Sequence, residues 1–302
     1  MLTALARDLL DLGGLELSMT RDSRLGSFPL PLHIESIGSM EEPWQRWRLI
    51  MDGVDVGWPI APETQGILEQ LSRIILEGQK ILIGSRPETV AIAASKLATT
   101  EYLAAQGVPV IETAPARGSI SRSDLGWVVK PDDGAGCEDS YYFQEFDALN
   151  RWLENRPQGN YMVQPYLQGV PASLSLLCCE GAARVLACNE QLIEMDGNKL
   201  HCAGVTVNAL RAYRHSLEPL ASRIAEILPG LWGYVGIDIV LTPHGPVVLE
   251  INPRLTTSYV GLRASLGCNP AGLILGLLQD DETPLRIPLR DEPVTVRIPH
   301  AA

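Results

Sequence analysis

Two stretches of this 302-residue sequence carry side chains whose types and spacing could do chemistry together. In GYVGIDIVL, Asp238 interrupts an apolar, strand-like run, and in VVLEINPR, Glu250 and Asn252 stand two residues apart. Side chains alternate along a strand, so Glu250 and Asn252 share a face. If Asp238 lies across a hairpin on that face, three oxygen donors converge, which suits a hard cation such as Mg2+ whose shell is completed by water and substrate phosphate. The plainer alternative is that the two acids are salt-bridged or sit at a solvated strand end. Against it, an unpaired carboxylate on a buried strand is costly, and Arg254 is the one cation nearby in sequence. The planar fork of Arg254 could hold a phosphate or a developing tetrahedral anion, or it could cap a helix or face solvent.

A second constellation, WVVKPDDGAG, delivers Lys130 from a strand into a loop containing Gly134, Ala135 and Gly136. Small residues let backbone N–H groups approach phosphate oxygens, and Lys130 adds a point charge. An ordinary turn after a strand explains the same residues. The order GxxxxGK[ST] is absent and no GxGxxG follows a strand, so the two commonest nucleotide motifs are missing. Lys96, in SKLATTEYLAAQGVPVIET, is a helical residue ahead of a Gly-Val-Pro turn and by itself reads as solvated. YMVQPYLQG ends a strand at Gln164 and continues through Pro165, Tyr166 and Leu167, an extended segment that could offer backbone groups to an adenine edge or serve only as a hinge.

These residues need a scaffold of more than one unit. At this length two or three packed subdomains are expected, and 46% hydrophobic with 20% charged residues is the composition of a globular enzyme. A net charge of −12 argues against broad binding to nucleic acid or anionic membrane, which take excess Lys and Arg. The six cysteines form no CxxC pair and no zinc spacing with His, so buried reduced thiols are expected. The first residues fit neither a signal nor a transit peptide, and the longest apolar run, 271–278, is too short to span a bilayer, so the cytoplasm is the expected compartment.

Along the chain, the pattern predicts a helix over 2–12, strands at 15–19 and 48–51, a helix over 62–76, a strand at 81–84 and one helix from 87 to about 105. That βαβ rhythm implies a parallel sheet, and the chain begins inside its first helix where a doubly wound unit begins with a strand. A Gly- and Pro-marked stretch at 107–118 reads as a linker. Beyond it come short strands at 127–130 and 161–164 with a helix over 145–155 between them. Two hairpins follow, 173–179 with 183–188 and 235–241 with 247–251, separated by a helix over 217–228.

Lys96, Lys130 with its glycine loop, the Gln164–Leu167 hinge, and Asp238, Glu250, Asn252 and Arg254 occur in the order found in the ATP-grasp superfamily, and the resemblance covers roughly residues 60 to 270. The phrases IAPET, VVKPDDGAG, QGVPASLSLL and VLEINPRLTTSYVGL resemble the tyramine–L-glutamate ligase group of methanofuran biosynthesis and its methylotroph relatives. The resemblance implies α/β and α+β architecture: an ATP-grasp fold with an N-terminal parallel-sheet (pre-ATP-grasp) domain over 1–95 that lacks its first strand, a small lobe over 96–168 and a large metal-binding lobe over 169–302. It implies ATP between the lobes, with Lys96, Lys130 and Gly134–Gly136 at the phosphates and Gln164–Leu167 at the adenine. Asp238, Glu250 and Asn252 would hold one or two Mg2+ ions, with Mn2+ an acceptable substitute.

The implied reaction is ADP-forming amide ligation of an amino-acid carboxylate, such as glutamate, to an amine, such as tyramine or tyrosine, with Arg254 on the tetrahedral anion. A ligase for another amino acid or peptide is an alternative, and a nucleotide-binding regulatory protein without turnover is one of another class. The expected partners are these small molecules, with no nucleic acid and no membrane, and a homodimer is one compatible assembly. The chain departs from the superfamily at Pro171, where a ribose-binding acid is common, and at Gly236, where some relatives place an Arg for the substrate.

Overall fold

A computed structural model describes residues 1–38, 43–134, 136–155, 159–279 and 290–299. In chain order the first elements are α1 (Leu2–Leu12), β1 (Ser18–Asp22), β2 (His33–Ile37), α2 (Pro43–Asp52), β3 (Val56–Gly57), α3 (Ile67–Glu77), β4 (Ile81–Leu82), α4 (Pro87–Ala94) and α5 (Lys96–Ala105). Next come β5 (Ala114–Pro115), β6 (Trp127–Pro131), β7 (Tyr141–Phe143), α6 (Phe146–Asn155) and β8 (Tyr161–Pro165). The remainder is β9 (Val170–Cys179), β10 (Ala182–Asp196), β11 (Lys199–Val207), α7 (Arg214–Ile227), β12 (Gly233–Thr242), β13 (Gly245–Asn252), α8 (Tyr259–Leu266), α9 (Pro270–Gly276) and β14 (Val294–Arg297).

Both predicted hairpins form, β9 with β10 and β12 with β13, and they join in one antiparallel sheet of order β13-β12-β9-β10-β11-β7-β6-β8-β5, with β14 on β11. Alternation sorts its faces. Leu174 and Leu176 of β9 and Val235, Ile237 and Ile239 of β12 pack with Leu103, Leu217 and Ile224 from the helices, all at or near zero exposure. Ser173, Ser175, Gly236 and Asp238 therefore point to the opposite face, which α8, α9 and α1 close at one end through Tyr234, Tyr259, Leu262 and Leu5. The small lobe has its own core of Trp127, Val129, Phe143, Leu149 and Val163.

Several expectations are corrected. Residues 48–51 lie in helix α2 and not in a strand; the short apolar run RLIM is the end of a longer segment, PWQRW, with Trp44 and Trp47 three apart and in edge contact at 4.9 Å. The expected helix over 87–105 breaks at Ser95, whose φ/ψ of −105°/119° is extended and whose Oγ accepts from the Ala98 N–H at 3.0 Å. A good N-cap residue thus starts a second helix, with Lys96 as its first residue. The first expected strand is found three residues later, at Ser18–Asp22. The parallel pairing predicted for the N-terminal part is present, but as two separate ribbons, β1 with β2 and β3 with β4, among the described residues. β2, β3, β5, β7, β11 and β14 were not foreseen.

Among the described residues no helix is long and apolar enough to cross a membrane. Helix α1 is fastened to the large lobe by Asp8, which is 4% exposed. Its carboxylate accepts from the Tyr259 hydroxyl at 2.9 Å and from Arg263 at 3.0 Å. Asp8→Ala leaves a buried hydroxyl without its acceptor and is expected to cost about 1–3 kcal/mol in urea unfolding. Arg263 is 46% exposed, so Arg263→Ala should cost less than about 1 kcal/mol. Equal effects of the two substitutions would contradict this account.

Candidate functional site

The β12–β13 register sets Asp238 opposite Glu250 and Gly236 opposite Asn252, so the three expected oxygen donors do share a face. The cations that answer these acids come from far away in sequence. Lys96 Nζ lies 3.3 Å and Lys130 Nζ 3.7 Å from the same oxygen, Glu250 Oε2. Across the sheet, Gln191 Nε2 donates to Asp238 Oδ1 at 3.0 Å. Glu250 is thus ion-paired, as the plainer reading of the sequence required, and the pair stands inside the convergent donor set.

The electrostatics follow from burial. Desolvation is the largest influence on Glu250 and pushes it up, but Lys96, Lys130 and a hydrogen bond from Asp238 together bring it down to about 2. Asp238 is also desolvated, faces the Glu250 charge and hydrogen-bonds with it, and is pushed up to about 7. The two carboxyls therefore share one proton, which resides on Asp238 because the lysines select Glu250 as the anion. Lys130 is lowered, first by burial, with Glu250 opposing that shift and Lys96 adding to it.

Local structure explains how the lysines arrive. The Asp132 carboxylate accepts the Leu97 N–H at 2.8 Å, and the Asp132 carbonyl accepts the Lys96 N–H at 3.1 Å, satisfying the open first turn of α5. Lys96, expected from its sequence context to be solvated, is 6% exposed, and its ammonium also donates to the Gly134 carbonyl at 2.5 Å. Lys130 is the penultimate residue of β6, beside it. Gly134 and Gly136 line the same cavity, and Gly136 has a left-handed φ of 67°. Ala135 lies outside the described residues.

A cavity of about 380 Å³ collects every described residue that the sequence singled out: Lys96, Lys130, Gly134, Gly136, Gln164, Pro165, Tyr166, Leu167, Asp238, Glu250, Asn252 and Arg254. That volume is in the range of small-molecule sites. Part of the hinge is already engaged. Gln164 Nε2 donates to Thr113 Oγ1 at 3.0 Å, and the Tyr166 N–H donates to the Gly126 carbonyl at 2.8 Å. Pro171 lines the cavity as well, with no acid in its place.

Arg254 is held on several sides. Its Nε donates to Glu63 Oε2 at 2.8 Å, and its terminal nitrogens donate to Asn252 Oδ1 at 3.4 Å and to the Leu255 carbonyl at 3.3 Å. Beside it, Thr256 and Ser258 join Tyr234 and Ser175 in a buried hydroxyl cluster with spacings of 2.7–3.0 Å. Gly236 is required there, because a Cβ would fall 2.6 Å from Thr256 Cγ2. An arginine at 236 is sterically excluded by the hydroxyl cluster. Glu63, Gln191, Thr256 and Ser258 were missed as site residues. Glu63 lies within the quoted IAPET phrase, but its partner is 191 residues away, beyond any local pattern.

Among the described residues no group of three or more His, Cys, Asp or Glu side chains stands ready to hold a metal, so the protein offers two carboxylates and the Asn252 amide oxygen. That set fits a hard cation which takes its remaining ligands from phosphate and water, and the proton shared by Asp238 and Glu250 marks the position a cation would neutralise.

A pH test follows for the metal-free protein. Asp238 is raised above its unfolded value of 3.8, so its contribution to stability is present below that pH and is lost as pH rises through about 7. Asp238→Asn removes this loss. The melting temperature of the variant relative to the wild type, in chelator, should therefore climb between pH 4 and pH 7.5 and then level off. A difference independent of pH would contradict the proton assignment.

Comparison with known proteins agrees with this architecture. An ATP-grasp domain model matches residues 93–258 and a pre-ATP-grasp domain model matches residues 15–90. A tyramine–L-glutamate ligase of Methanocaldococcus jannaschii is 27% identical over 81% of this chain and 69% of its own length. Its counterpart from Methanocaldococcus fervens is also 27% identical, over 70% of this chain, which spans less than two thirds (62%) of that relative. The crystal structure of an ATP-grasp superfamily protein from Archaeoglobus fulgidus superposes with a TM-score of 0.63 at 28% identity, covering 82% of this chain and 71% of that one. With a family model over more than half of its length, the chain belongs to the ATP-grasp family, with a pre-ATP-grasp N-terminal domain.

Proposed function

We propose that the cavity binds Mg-ATP and that the protein joins the carboxylate of an amino acid of the glutamate class to an amine of the tyramine or tyrosine class, in the biosynthesis of a methanofuran-like cofactor. The observation that carries the reading is the convergence of Lys96 and Lys130 on Glu250 beside Asp238, at a cavity shared by the small lobe and the large sheet. The substrate class is supported by the two relatives whose names give tyramine and glutamate, each at 27% identity. In this reading the working units are 1–95, 96–168 and 169–302.

Asp238, Glu250 and Asn252 would hold the divalent ion, whose charge offsets that of the transferring phosphoryl group. Lys96 and Lys130 turn from Glu250 to the nucleotide phosphates, and the N–H groups of the Gly134–Gly136 loop close over them. The Leu167 N–H and the carbonyls of the 165–167 segment meet the adenine edge, since the Tyr166 N–H is committed to Gly126. An oxygen of the substrate carboxylate attacks the γ-phosphorus, the bond to the β,γ-bridging oxygen breaks, and ADP leaves with that electron pair. The amine nitrogen then attacks the acyl carbon of the acylphosphate, the carbon–oxygen bond breaks, and phosphate and a proton are released. Arg254, fixed in plane, holds the negative oxygen of the tetrahedral species between these two bond changes.

Incubation of the purified protein with glutamate, tyramine or tyrosine, and Mg-ATP should yield ADP, phosphate and the amide. No amino-acid-dependent ADP release across an amine panel would sink the reading. Glu250→Gln should lower turnover by roughly two orders of magnitude or more while leaving the melting transition cooperative. Lys130→Ala should weaken Mg-ATP binding about tenfold, ~1.4 kcal/mol, measured by calorimetry. Near-normal turnover in the first variant, or unchanged affinity in the second, would remove that residue from the site.

A further inference from the structure

One turn of the N-terminal domain, residues 63–65, reaches both halves of the cavity, and the ligase reading has so far given it nothing to do. Glu63 is 6% exposed, and its Oε2 accepts from Arg254 Nε at 2.8 Å. Its second oxygen, Oε1, is buried with no hydrogen-bond partner among the described residues. Burial raises Glu63, and the Arg254 charge opposes that shift. A half-satisfied interior carboxylate is a cost to the fold, since replacing a buried ion pair by apolar residues of like size is commonly neutral or stabilising. Its contribution has to be sought in what it does to Arg254. With Nε taken by Glu63, and the terminal nitrogens by Asn252 and the Leu255 carbonyl, the guanidinium plane has its orientation set from the domain across the site.

The next two residues hold the opposite wall. Thr64 Oγ1 donates to the Asp133 carbonyl at 2.9 Å, and the Gln65 N–H donates to the Asp133 carboxylate at 3.2 Å. Gln65 adopts a left-handed φ of 57° at this contact. Asp133 leads directly into Gly134, whose carbonyl is the Lys96 acceptor. The same turn therefore touches the root of the glycine-rich loop and the arginine on the acyl side.

Resting on the ligase reading above, we propose that Glu63 is a positioning residue that fixes the Arg254 guanidinium for the amide-forming step, while Thr64 and Gln65 root the glycine-rich loop. One segment of the N-terminal domain would then align the phosphate side and the acyl side of the site with each other. Its effects should separate accordingly, Glu63 acting on turnover and Thr64 on nucleotide affinity.

The experiment uses the full chain and the variants E63Q, E63A, R254A, E63A/R254A and T64V. E63Q keeps an acceptor oxygen near Arg254 without the charge, and thermal melts identify any variant that does not fold. E63A is expected to bind Mg-ATP within about twofold of the wild type and to lose roughly 10- to 100-fold in amide formation, with E63Q between the two. Isotope scrambling between the β,γ-bridge and the non-bridging oxygens of ATP, driven by the carboxylate substrate alone, should persist in E63A, because phosphoryl transfer precedes the step that Arg254 serves. In the R254A background, adding E63A should cost less than about twofold, since both changes remove one interaction. T64V should weaken Mg-ATP binding by about 3- to 10-fold, about 0.7–1.4 kcal/mol, with turnover at saturating ATP retained.

Wild-type turnover in E63A, or the same loss from E63A with and without Arg254, would overturn the positioning role. Unchanged Mg-ATP affinity in T64V would overturn the rooting of the loop. A wild type that neither binds Mg-ATP nor releases ADP with any substrate would overturn the ligase reading itself, and this inference with it.

Discussion

A carboxylate drawn out of water has to be neutralised, and Glu250, on the edge strand β13, is neutralised by lysines from two separate elements. Much of the architecture follows from that requirement. Lys96 reaches Glu250 because α5 begins at Lys96, which depends on the Ser95 cap and on Asp132 filling the first turn. Lys130 reaches it because β6 ends beside that turn. The Asp238 carboxyl opposite is then left with the shared proton, and Gln191 holds its other edge. The cluster is poised for exchange. A polyanion accompanied by a divalent cation can draw the lysines off Glu250 while the cation takes their place between the carboxylates and displaces the proton.

The loop that follows β13 is stiffened by the same logic of satisfied burial. Ser175, Tyr234, Thr256 and Ser258 supply hydroxyls to one another, and Asn189 donates to Ser175 and Ser173 from the next strand. A fully connected polar network in a low-dielectric interior fixes geometry better than apolar packing does. It holds the loop that carries Arg254, and it also explains why position 236 is glycine, since the Thr256 methyl occupies the space of a Cβ. Tyr234 stacks edge-on against Tyr259, which Asp8 of α1 holds, so the N-terminal helix buttresses the back of the cluster.

Wherever period and punctuation coincide, the elements were legible from the sequence. The two hairpins follow from alternation around a turn, the helix expected over 217–228 from its 3.6-residue period, and the acids at 238 and 250 from each standing alone in an apolar run. Where a short run fits two periods, local context decided: RLIM reads as a strand, but it continues the helix opened by PWQRW, in which Trp44 and Trp47 meet one turn apart. The helix break at Ser95 was present in the sequence as a capping residue followed by Lys96, and it was obscured by good helix formers on both sides. The separation of the N-terminal ribbons was not readable, because strand pairing depends on partners and not on propensity. Among the site residues, those carrying charge on glycine-rich or strand-end motifs were found. Glu63 and Gln191 were not, since their meaning lies in contacts made 191 and 47 residues away.

The most direct measurement is a crystal structure of the protein with Mg2+ and a non-hydrolysable ATP analogue. The account predicts a metal at about 2.1 Å from oxygens of Asp238 and Glu250, bridged to phosphate, with Lys96 and Lys130 drawn off Glu250 onto the nucleotide. A nucleotide bound elsewhere, or bound in the cavity with both lysines still on Glu250 and no metal between the carboxylates, would contradict it.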